Sequence, residues 1–231
     1  MNIVVVGASG GIGSAIVREL KKGGHRLFTV SRKSGSSDAQ CDITDASAVT
    51  QTCEKMLAEG FVPACVIIAS GVFENDLLPA YNRALVDKNF SVNYFGVLNV
   101  IDAVLPRFLA AGTGHVIALS SIAALRPNKR GVGYPSSKAA LSLTMRGFDQ
   151  AFRPKGVAFS VACVGPTRTP MWEGGDSFLA ASPEKIARSI ASLVKSRKTV
   201  LYTPFLSTML ARTALLLPDR LYATFRRILL K

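Results

Sequence analysis

Residues 3–20 read IVVVGASGGIGSAIVREL, in which a glycine-rich turn joins an apolar run to a segment with apolar residues at helical spacing. The run predicts a buried strand, and the spacing predicts an amphipathic helix. Small residues let the backbone of such a turn approach a pyrophosphate, and the helix N-terminus favours its negative charge. A plain strand-to-helix connection is the alternative, but the setting between strand and helix favours dinucleotide binding. The candidate contacts in this turn are Gly7, Ser9, Gly10, Gly11, Ile12 and Gly13.

The alternation of apolar runs and helix-length segments continues along the chain. Nearly continuous apolar runs predict strands buried on both faces at 27–30, 65–69, 115–119, 158–164 and 199–202, with a weaker run at 39–41. Segments of helix length lie at 11–23, 45–59, 80–111, 134–153 and 183–196. This order predicts one α/β domain over residues 1–204, with a doubly wound (Rossmann) parallel sheet of about seven strands flanked by helices. Residues 205–231 break the rhythm and are predicted to form a C-terminal helical extension.

The composition is that of a globular chain with a surplus of positive charge. Of the 231 residues, 48% are hydrophobic, which is enough for one large core, and the formal net charge is +13. Such a charge suits an anionic partner: a phosphorylated ligand, an acidic membrane surface or a nucleic acid. Because no motif of interleaved basic and aromatic residues is visible, we expect no nucleic-acid partner.

The spacing of the cysteines and histidines does not match a metal site. The four cysteines form no CxxC pair and the two histidines lie far apart, so we expect neither bound metal nor a disulfide framework. Cys41, Cys65 and Cys163 lie in apolar runs and are predicted to be buried thiols. No signal peptide precedes the first apolar run, and no uncharged apolar run approaches the roughly 20 residues that span a bilayer. We therefore expect a cytoplasmic protein.

The end of the second predicted strand carries Ser31, Arg32 and Lys33. An acidic residue at this place favours the plain ribose of NAD(H). Two cations instead favour a 2′-phosphate, which an arginine can grip with two hydrogen bonds. A solvated basic loop is the alternative interpretation, but the position beside the expected adenosine ribose favours NADP(H) as the cofactor.

The stretch YPSSK, residues 134–138, places Tyr134 and Lys138 on one helical face, one turn apart. With the glycine turn, it makes the chain resemble the short-chain dehydrogenase/reductase family over about residues 2–204. Further elements of that family appear in order: Asp42 and Ile43 in DITD, Ala69, Ser70 and Gly71 after the fourth strand, Asn93 in FSVNYFG, Ser121 thirteen residues before Tyr134, and Pro166, Thr167 and Thr169 in VGPTRT. The asparagine that usually precedes Ala69-Ser70-Gly71 is missing.

The resemblance implies an oxidoreductase acting on a small-molecule carbonyl or alcohol, with Asn93, Ser121, Tyr134 and Lys138 as its catalytic residues. Tyr134 is expected to exchange the proton, since Lys138 and an oxidised nicotinamide both stabilise a phenolate and lower the phenol pKa. Ser121 is expected to polarise the substrate oxygen. Asn93 is expected to hold a water in a proton relay. The alternative from another functional class is a non-catalytic NADP-binding regulator or scaffold.

The resemblance also implies cofactor contacts outside the glycine turn. Asp42 and Ile43 are expected to contact the adenine, and Lys138 the nicotinamide ribose. The full set of such contacts is Ser31, Arg32, Lys33, Asp42, Ile43, Ala69, Ser70, Gly71, Tyr134, Lys138, Pro166, Thr167 and Thr169. In the loop after Thr169, Met171, Trp172 and Phe178 either close over an apolar substrate or pack in the core.

Two regions suggest larger assemblies. The segment 80–111 and the YPSSK helix often form subunit interfaces in this family, which implies a homodimer or homotetramer. In the tail, Leu221, Phe225, Ile228 and Leu229 share one helical face, and residues 205–231 carry a net charge of +4, from five basic residues and one acid. We expect that face to pack on a neighbouring subunit or over the substrate cleft. A weak peripheral contact with an anionic membrane is the alternative.

Overall fold

A computed structural model describes residues 1–33, 35, 37–76, 78–126, 131–171, 179–218 and 221. Within these ranges seven strands form one sheet in the order β3-β2-β1-β4-β5-β6-β7, and every neighbouring pair is parallel. The strands are β1 (Asn2–Val6), β2 (Arg26–Ser31), β3 (Ala39–Gln40), β4 (Cys65–Ile68), β5 (Gly114–Ser121), β6 (Val157–Val164) and β7 (Val200–Thr203). This confirms the predicted doubly wound α/β sheet.

The helices lie between the strands, as the sequence predicts. They are α1 (Gly11–Lys22), α2 (Ala46–Ala58), α3 (Arg83–Phe90), α4 (Gly96–Ala111), α5 (Gly133–Phe152), α6 (Pro183–Ser196) and α7 (Phe205–Thr213). Side-chain caps set three of the starts: Asp45 accepts a hydrogen bond from the Ala48 N–H at α2, Asn82 from the Ala84 N–H at α3, and Ser182 from the Lys185 N–H at α6. The short connection between β2 and β3 is held by Asp38, whose Oδ2 accepts bonds of 2.7 Å from the N–H and the hydroxyl of Thr29.

The core consists of two layers, one on each face of the sheet. On one face α2, α4 and α5 pack on alternate strand residues such as Val4, Val66 and Phe159. On the other face α1 and α6 cover the intervening residues, such as Val5 and Ile67. Both faces are buried, which explains why the strands read as continuous apolar runs rather than as alternating ones.

The segment predicted as a helix at 80–111 is a continuous helix over Arg83–Ala111, in which a π-helical turn (Ser91–Phe95) joins α3 to α4. Its 29 residues include a stretch that is apolar enough to cross a membrane by length and composition alone, whereas the sequence predicts no uncharged run of that length. In the fold, Val97, Ile101 and Phe108 of α4 are buried against the sheet, the position of a core helix.

Three of the four cysteines lie in the core. Cys41, Cys65 and Cys163 are buried free thiols, as predicted. Among the described residues no group of His, Cys, Asp and Glu has a metal-binding arrangement.

In the tail, α7 is followed by a 3₁₀ turn (Ala214–Leu216). The predicted apolar face at Leu221, Phe225, Ile228 and Leu229 lies outside the described residues except for Leu221.

Candidate active site

The glycine turn after β1 forms a cradle that larger residues would fill. Gly7 has a φ of +85°, and a Cβ added to Gly13 would lie 2.0 Å from the Gly7 carbonyl oxygen. Helix α1 begins at Gly11 with no side-chain cap on its first N–H groups. Open N–H groups beside a backbone without side chains are what a pyrophosphate needs. The residues present therefore fit the phosphates of a dinucleotide.

The other phosphate-side elements meet this cradle at the carboxyl edge of the sheet. A Cβ on Gly7 would lie 2.6 Å from the Ser70 N, so the segment Ala69, Ser70 and Gly71 adjoins the turn. Thr169 lies against Gly11, since a Cβ there would be 2.9 Å from its Cγ2. The remaining predicted contacts of this group also lie near this edge: Ser9 is exposed, Ile12 and Pro166 are half-buried, and Thr167 is buried and donates its hydroxyl to the Gly165 carbonyl.

At the adenosine end, Arg32 and Lys33 are exposed and free of the core. Ser31 is buried and donates its hydroxyl to the Lys33 carbonyl at 2.8 Å, so its side chain holds the turn that presents the two cations. The Asp42 carboxylate accepts hydrogen bonds from the N–H and hydroxyl of Thr44. These bonds, with a smaller contribution from Arg32, lower the pKa of Asp42.

Ile43 is the predicted adenine contact that the fold places deepest. Its side chain is buried beneath α4, where a Cβ on Gly96 would lie 2.7 Å from the Ile43 Cγ1. Its carbonyl accepts a hydrogen bond from the Asn99 side chain. Packing on the adenine ring stays a prediction for Ile43, since in this structure the side chain belongs to the core.

Ser121 and Tyr134 come together at the end of β5. The Ser121 hydroxyl lies close enough to the Tyr134 phenol to influence its pKa, and it accepts a hydrogen bond from the Ala123 N–H at 3.1 Å. The neighbouring Ser120 is buried and serves the fold, because its hydroxyl donates to the Lys138 carbonyl and contacts Ser142. The geometry thus distinguishes the two serines in the way that the spacing to Tyr134 suggested.

The pKa values of Tyr134 and Lys138 reflect burial. Burial raises the pKa of Tyr134, and the nearby Ser121 hydroxyl opposes this effect only in part. Lys138 is only 4% exposed, and burial lowers its pKa to about 8. Its Nζ donates to the Leu119 carbonyl at 2.9 Å and lies 6.0 Å from the centre of the Tyr134 ring.

The expectation that Lys138 and an oxidised nicotinamide together lower the phenol pKa is only partly visible in the protein alone. In the protein alone, burial of the phenol dominates, and the ammonium group is directed to a backbone carbonyl rather than to the phenol oxygen. Any lowering must then come mainly from a positive charge closer to the oxygen, such as an oxidised nicotinamide.

Asn93 lies in the π-helical turn and is fully buried. Its side chain accepts from the Val72 N–H, donates to the Val72 carbonyl, both at 2.9 Å, and donates to the Ser137 hydroxyl. Four residues earlier, the Asn89 side chain makes the same pair of bonds to the backbone of Glu74. The two asparagines therefore clamp the loop after β4. The water-holding role expected of Asn93 stays a prediction.

The clamped loop contributes two residues that no sequence motif indicates, Phe73 and Asp76. The Phe73 ring packs edge-on against the Tyr134 ring at 5.0 Å. The buried Asp76 Oδ2 accepts from the N–H groups of Val132 and Gly133, at the start of the helix that carries Tyr134. A negative charge at a helix N-terminus stabilises it. Asp76 belongs to no motif, so only the tertiary structure shows its role.

We expect Asp76→Ala to lower kcat by about ten- to a hundredfold, because the first turn of α5 loses its anchor and Tyr134 loses its position. Asp76→Asn keeps an acceptor oxygen and should recover most of the rate. Steady-state rates and the NADPH dissociation constant of the two variants check this. A purely structural role would lower the melting temperature and leave kcat of the folded enzyme unchanged.

Comparison with known proteins gives the family. A family model described as short chain dehydrogenase matches residues 1–178. The chain belongs to this family. It is an oxidoreductase of that type, which favours the enzyme over the non-catalytic regulator.

The relatives of this short chain dehydrogenase are also named as oxidoreductases or reductases. An uncharacterized oxidoreductase of Staphylococcus epidermidis is 28% identical over 185 residues, covering 75% of this chain and 80% of the relative. A 3-ketodihydrosphingosine reductase of Bacteroides thetaiotaomicron is 27% identical over 154 residues, covering 64% of this chain and 56% of that protein. A solved short chain dehydrogenase from Burkholderia cenocepacia, in complex with NADP, has a TM-score of 0.83 at 21% identity and covers 99% of this chain and 97% of that one.

Proposed function

We propose that this short chain dehydrogenase reduces the carbonyl group of a small molecule, or oxidises the corresponding alcohol, with NADP(H) and with Tyr134 as the general acid and base. The proximity of the Ser121 hydroxyl to the Tyr134 phenol, which opposes the rise in the phenol pKa, carries the proposal. It places a second hydroxyl beside a proton donor at the edge of the sheet where the glycine cradle lies. Reduction is supported by the relative named as a reductase of a keto compound.

In the reductive direction the residues have distinct roles. The reduced cofactor, when bound, supplies the hydride that goes to the carbonyl carbon. Ser121 donates a hydrogen bond to the carbonyl oxygen and holds it beside Tyr134. Tyr134 gives its phenolic proton to the oxygen on which negative charge develops. Lys138 stabilises the resulting phenolate by its charge and binds the nicotinamide ribose.

Oxidation of NADPH with a panel of ketones, aldehydes and quinones tests the reaction. We expect turnover with at least one carbonyl class and loss of that turnover in Tyr134→Phe. An enzyme that binds NADPH yet reduces no member of the panel, or whose Tyr134→Phe form is equally active, would contradict the proposal.

The preference for NADP(H) is supported by the exposure of Arg32 and Lys33 at the end of β2. We expect Arg32→Ala to weaken NADPH binding by about ten- to a hundredfold, the usual loss when a charge-assisted hydrogen bond is removed. The affinity for NADH should change little, and high salt should reduce the difference between the NADPH and NADH affinities of the unmutated enzyme. Calorimetric titration measures all three effects. Lys22→Ala, an exposed cation at the far end of α1, is the matched control. Equal affinities of the unmutated enzyme for the two cofactors would refute the preference.

A homodimer or homotetramer also remains a proposal. The exposed side chains of Phe95, in the turn before α4, and Leu143 of α5 support it, because both lie on the helices expected at a subunit interface. A monomer in sedimentation velocity at micromolar concentration would contradict it.

A further inference from the structure

Helix α7 has the reverse of the usual amphipathic arrangement. Its inner side presents small polar residues, Ser207 and Thr208, which are 5% and 1% exposed. Their hydroxyls turn back to the Pro204 carbonyl, and Thr208 also bonds the Phe205 carbonyl. A surface helix normally buries its large apolar residues and turns polar ones outward. In α7 the interior of the protein takes up the polar residues instead.

The outer side of α7 is apolar and exposed. Phe205, Leu206, Met209 and Leu210 occupy positions i, i+1, i+4 and i+5, which share one face of a helix. Phe205 is 76% and Leu206 is 50% exposed. Two more exposed leucines, Leu215 and Leu216, follow in the 3₁₀ turn. These six residues form what we call the α7 patch. A contiguous apolar surface of this kind marks a site of interaction.

The α7 patch lies beside the candidate active site. Helix α7 follows β7 at the carboxyl edge of the sheet, and a Cβ on Gly165 would lie 2.6 Å from the Ser207 Oγ. Arg126, which ends the short 3₁₀ turn after Ser121, donates to the carbonyls of Ala214 and Leu217. The helix is therefore fixed to the segments that hold the proposed catalytic serine and the segment before Thr169.

Arg212 lies beside the patch, and the sequence that adjoins α7 is basic. Arg212, seven residues after Phe205, lies on the same side of α7, with its guanidinium 4.6 Å from the centre of the Tyr202 ring. The sequence from residue 205 onward has five basic residues and one acid, a net charge of +4. The stretch RPNKR, residues 126–130, begins at the arginine bonded to α7 and adds three cations without an acid.

This charge distinguishes between the possible occupants of the patch. A second copy docked through the same face would bring two Arg212 side chains and two copies of the basic adjoining sequence together, and like charges in contact oppose association. An anionic lipid surface offers an apolar interior for the leucines and negative headgroups for the cations. The apolar helical segment Phe205–Leu216 is too short to span a bilayer, so it suits a helix lying in the interface.

We propose that the α7 patch seats the enzyme peripherally on an anionic lipid surface, with the active-site edge of the sheet turned toward it. The four apolar residues of α7 enter the boundary between headgroups and acyl chains, and Arg212 extends its charge toward the headgroups. This inference rests on α7 and its charge, and it does not depend on the proposed reaction.

Co-sedimentation of the full-length protein with vesicles tests the proposal. We expect binding to mixed phosphatidylcholine and phosphatidylglycerol vesicles at physiological salt. Binding should be at least about tenfold weaker on phosphatidylcholine alone or at high salt, since the cations act through a screened attraction. The double variant Leu206→Gln, Leu210→Gln should also bind at least about tenfold more weakly, because it removes apolar area without removing charge. Both residues are exposed, so glutamine leaves the packing of α7 intact.

Val62→Gln is the matched control. Val62 is also a well-exposed apolar residue, but it lies in the loop before β4, at the opposite edge of the sheet. It should leave vesicle binding unchanged. If the double variant fails to fold, Phe205→Gln at the most exposed position of α7 provides the same comparison.

Two results would overturn the proposal. One is an intact protein that ignores anionic vesicles, or one that binds them equally well after the α7 substitutions. The other is a double variant whose molar mass falls in sedimentation velocity while the intact protein shows no vesicle binding, which would identify the patch as a subunit interface. Turnover of a short, water-soluble carbonyl without vesicles should be unaffected by the α7 variants, which separates this proposal from the proposed chemistry.

Discussion

Replacing Tyr134 with Phe is expected to lower kcat by about a thousandfold while leaving NADPH affinity nearly unchanged. The substitution removes only the phenolic oxygen, which is the proposed proton donor, and general acid–base groups contribute rate factors of this order. The ring itself stays packed edge-on against Phe73, at 5.0 Å between ring centres, so the position of α5 should not change. Single-turnover kinetics and fluorescence titration with NADPH separate the two effects.

Tyr81→Phe is the matched control for this experiment. Tyr81 is exposed in the loop before α3 and takes no part in the proposed site. The control enzyme should keep the wild-type rate. Comparable turnover by the Tyr134→Phe enzyme on a good substrate would show that the proton comes from another group, and the assigned mechanism would then be wrong.

Replacing Lys138 with Met is expected to make the protein more stable while it abolishes turnover. The fold holds Lys138 almost fully buried, and burial lowers its pKa from 10.5 to about 8. The difference between these pKa values corresponds to about 3 kcal/mol of unfavourable free energy at neutral pH. Loss of the hydrogen bond to the Leu119 carbonyl offsets about 1 kcal/mol. The expected net gain in the free energy of unfolding is therefore about 2 kcal/mol at pH 7.

The stability gain of Lys138→Met should decrease as the pH rises above about 8. Below about pH 8 both the folded and the unfolded chain hold the Lys138 proton, and the folded state bears the full cost of the buried charge. Between about pH 8 and 10.5 the unfolded chain holds a proton that the folded protein has released, so wild-type stability rises with pH. The advantage of Lys138→Met should thus be complete at pH 7 and shrink as the pH approaches 10.5.

Urea unfolding of both proteins at pH 7 and pH 10 measures this prediction. Lys22→Met, which changes an exposed lysine of α1, should show neither a gain nor a pH dependence. A Lys138→Met protein that is less stable than the wild type at pH 7 would mean that the buried ammonium is compensated by its surroundings. Cofactor affinity should fall with the same substitution, since Lys138 is also assigned to the nicotinamide ribose.

The sequence by itself determined the order and type of the secondary-structure elements. All seven predicted strands, including the weaker run at 39–41, agree with β1 to β7 to within two residues at each end. The reason is that each strand of a parallel sheet covered by helices must be apolar on both faces, which leaves a continuous run that is easily recognised. The glycine turn was equally recognisable, because a close backbone approach at Gly7 and Gly13 excludes larger side chains.

The tertiary structure decided how the proposed catalytic residues are held. Asn89 and Asp76 lie in no motif, and their partners, the Glu74 backbone and the first turn of α5, are brought to them only when the chain folds. Likewise, the bond from Lys138 to the Leu119 carbonyl depends on where α5 crosses β5. Long-range contacts of this kind leave no periodic pattern in the sequence.

The orientation of α7 was decided in the same way. Over 205–210 the sequence places a pair of small polar residues between two pairs of apolar ones, but it does not show which of them turn inward. The space beside Gly165 admits only a small side chain, and Ser207 occupies it. The fit is so close that a Cβ added to Gly165 would lie 2.6 Å from the Ser207 Oγ. Phe205, Leu206 and Leu210 are left facing outward, because α7 is pinned to β7 and has only one way to place its small residues against the sheet.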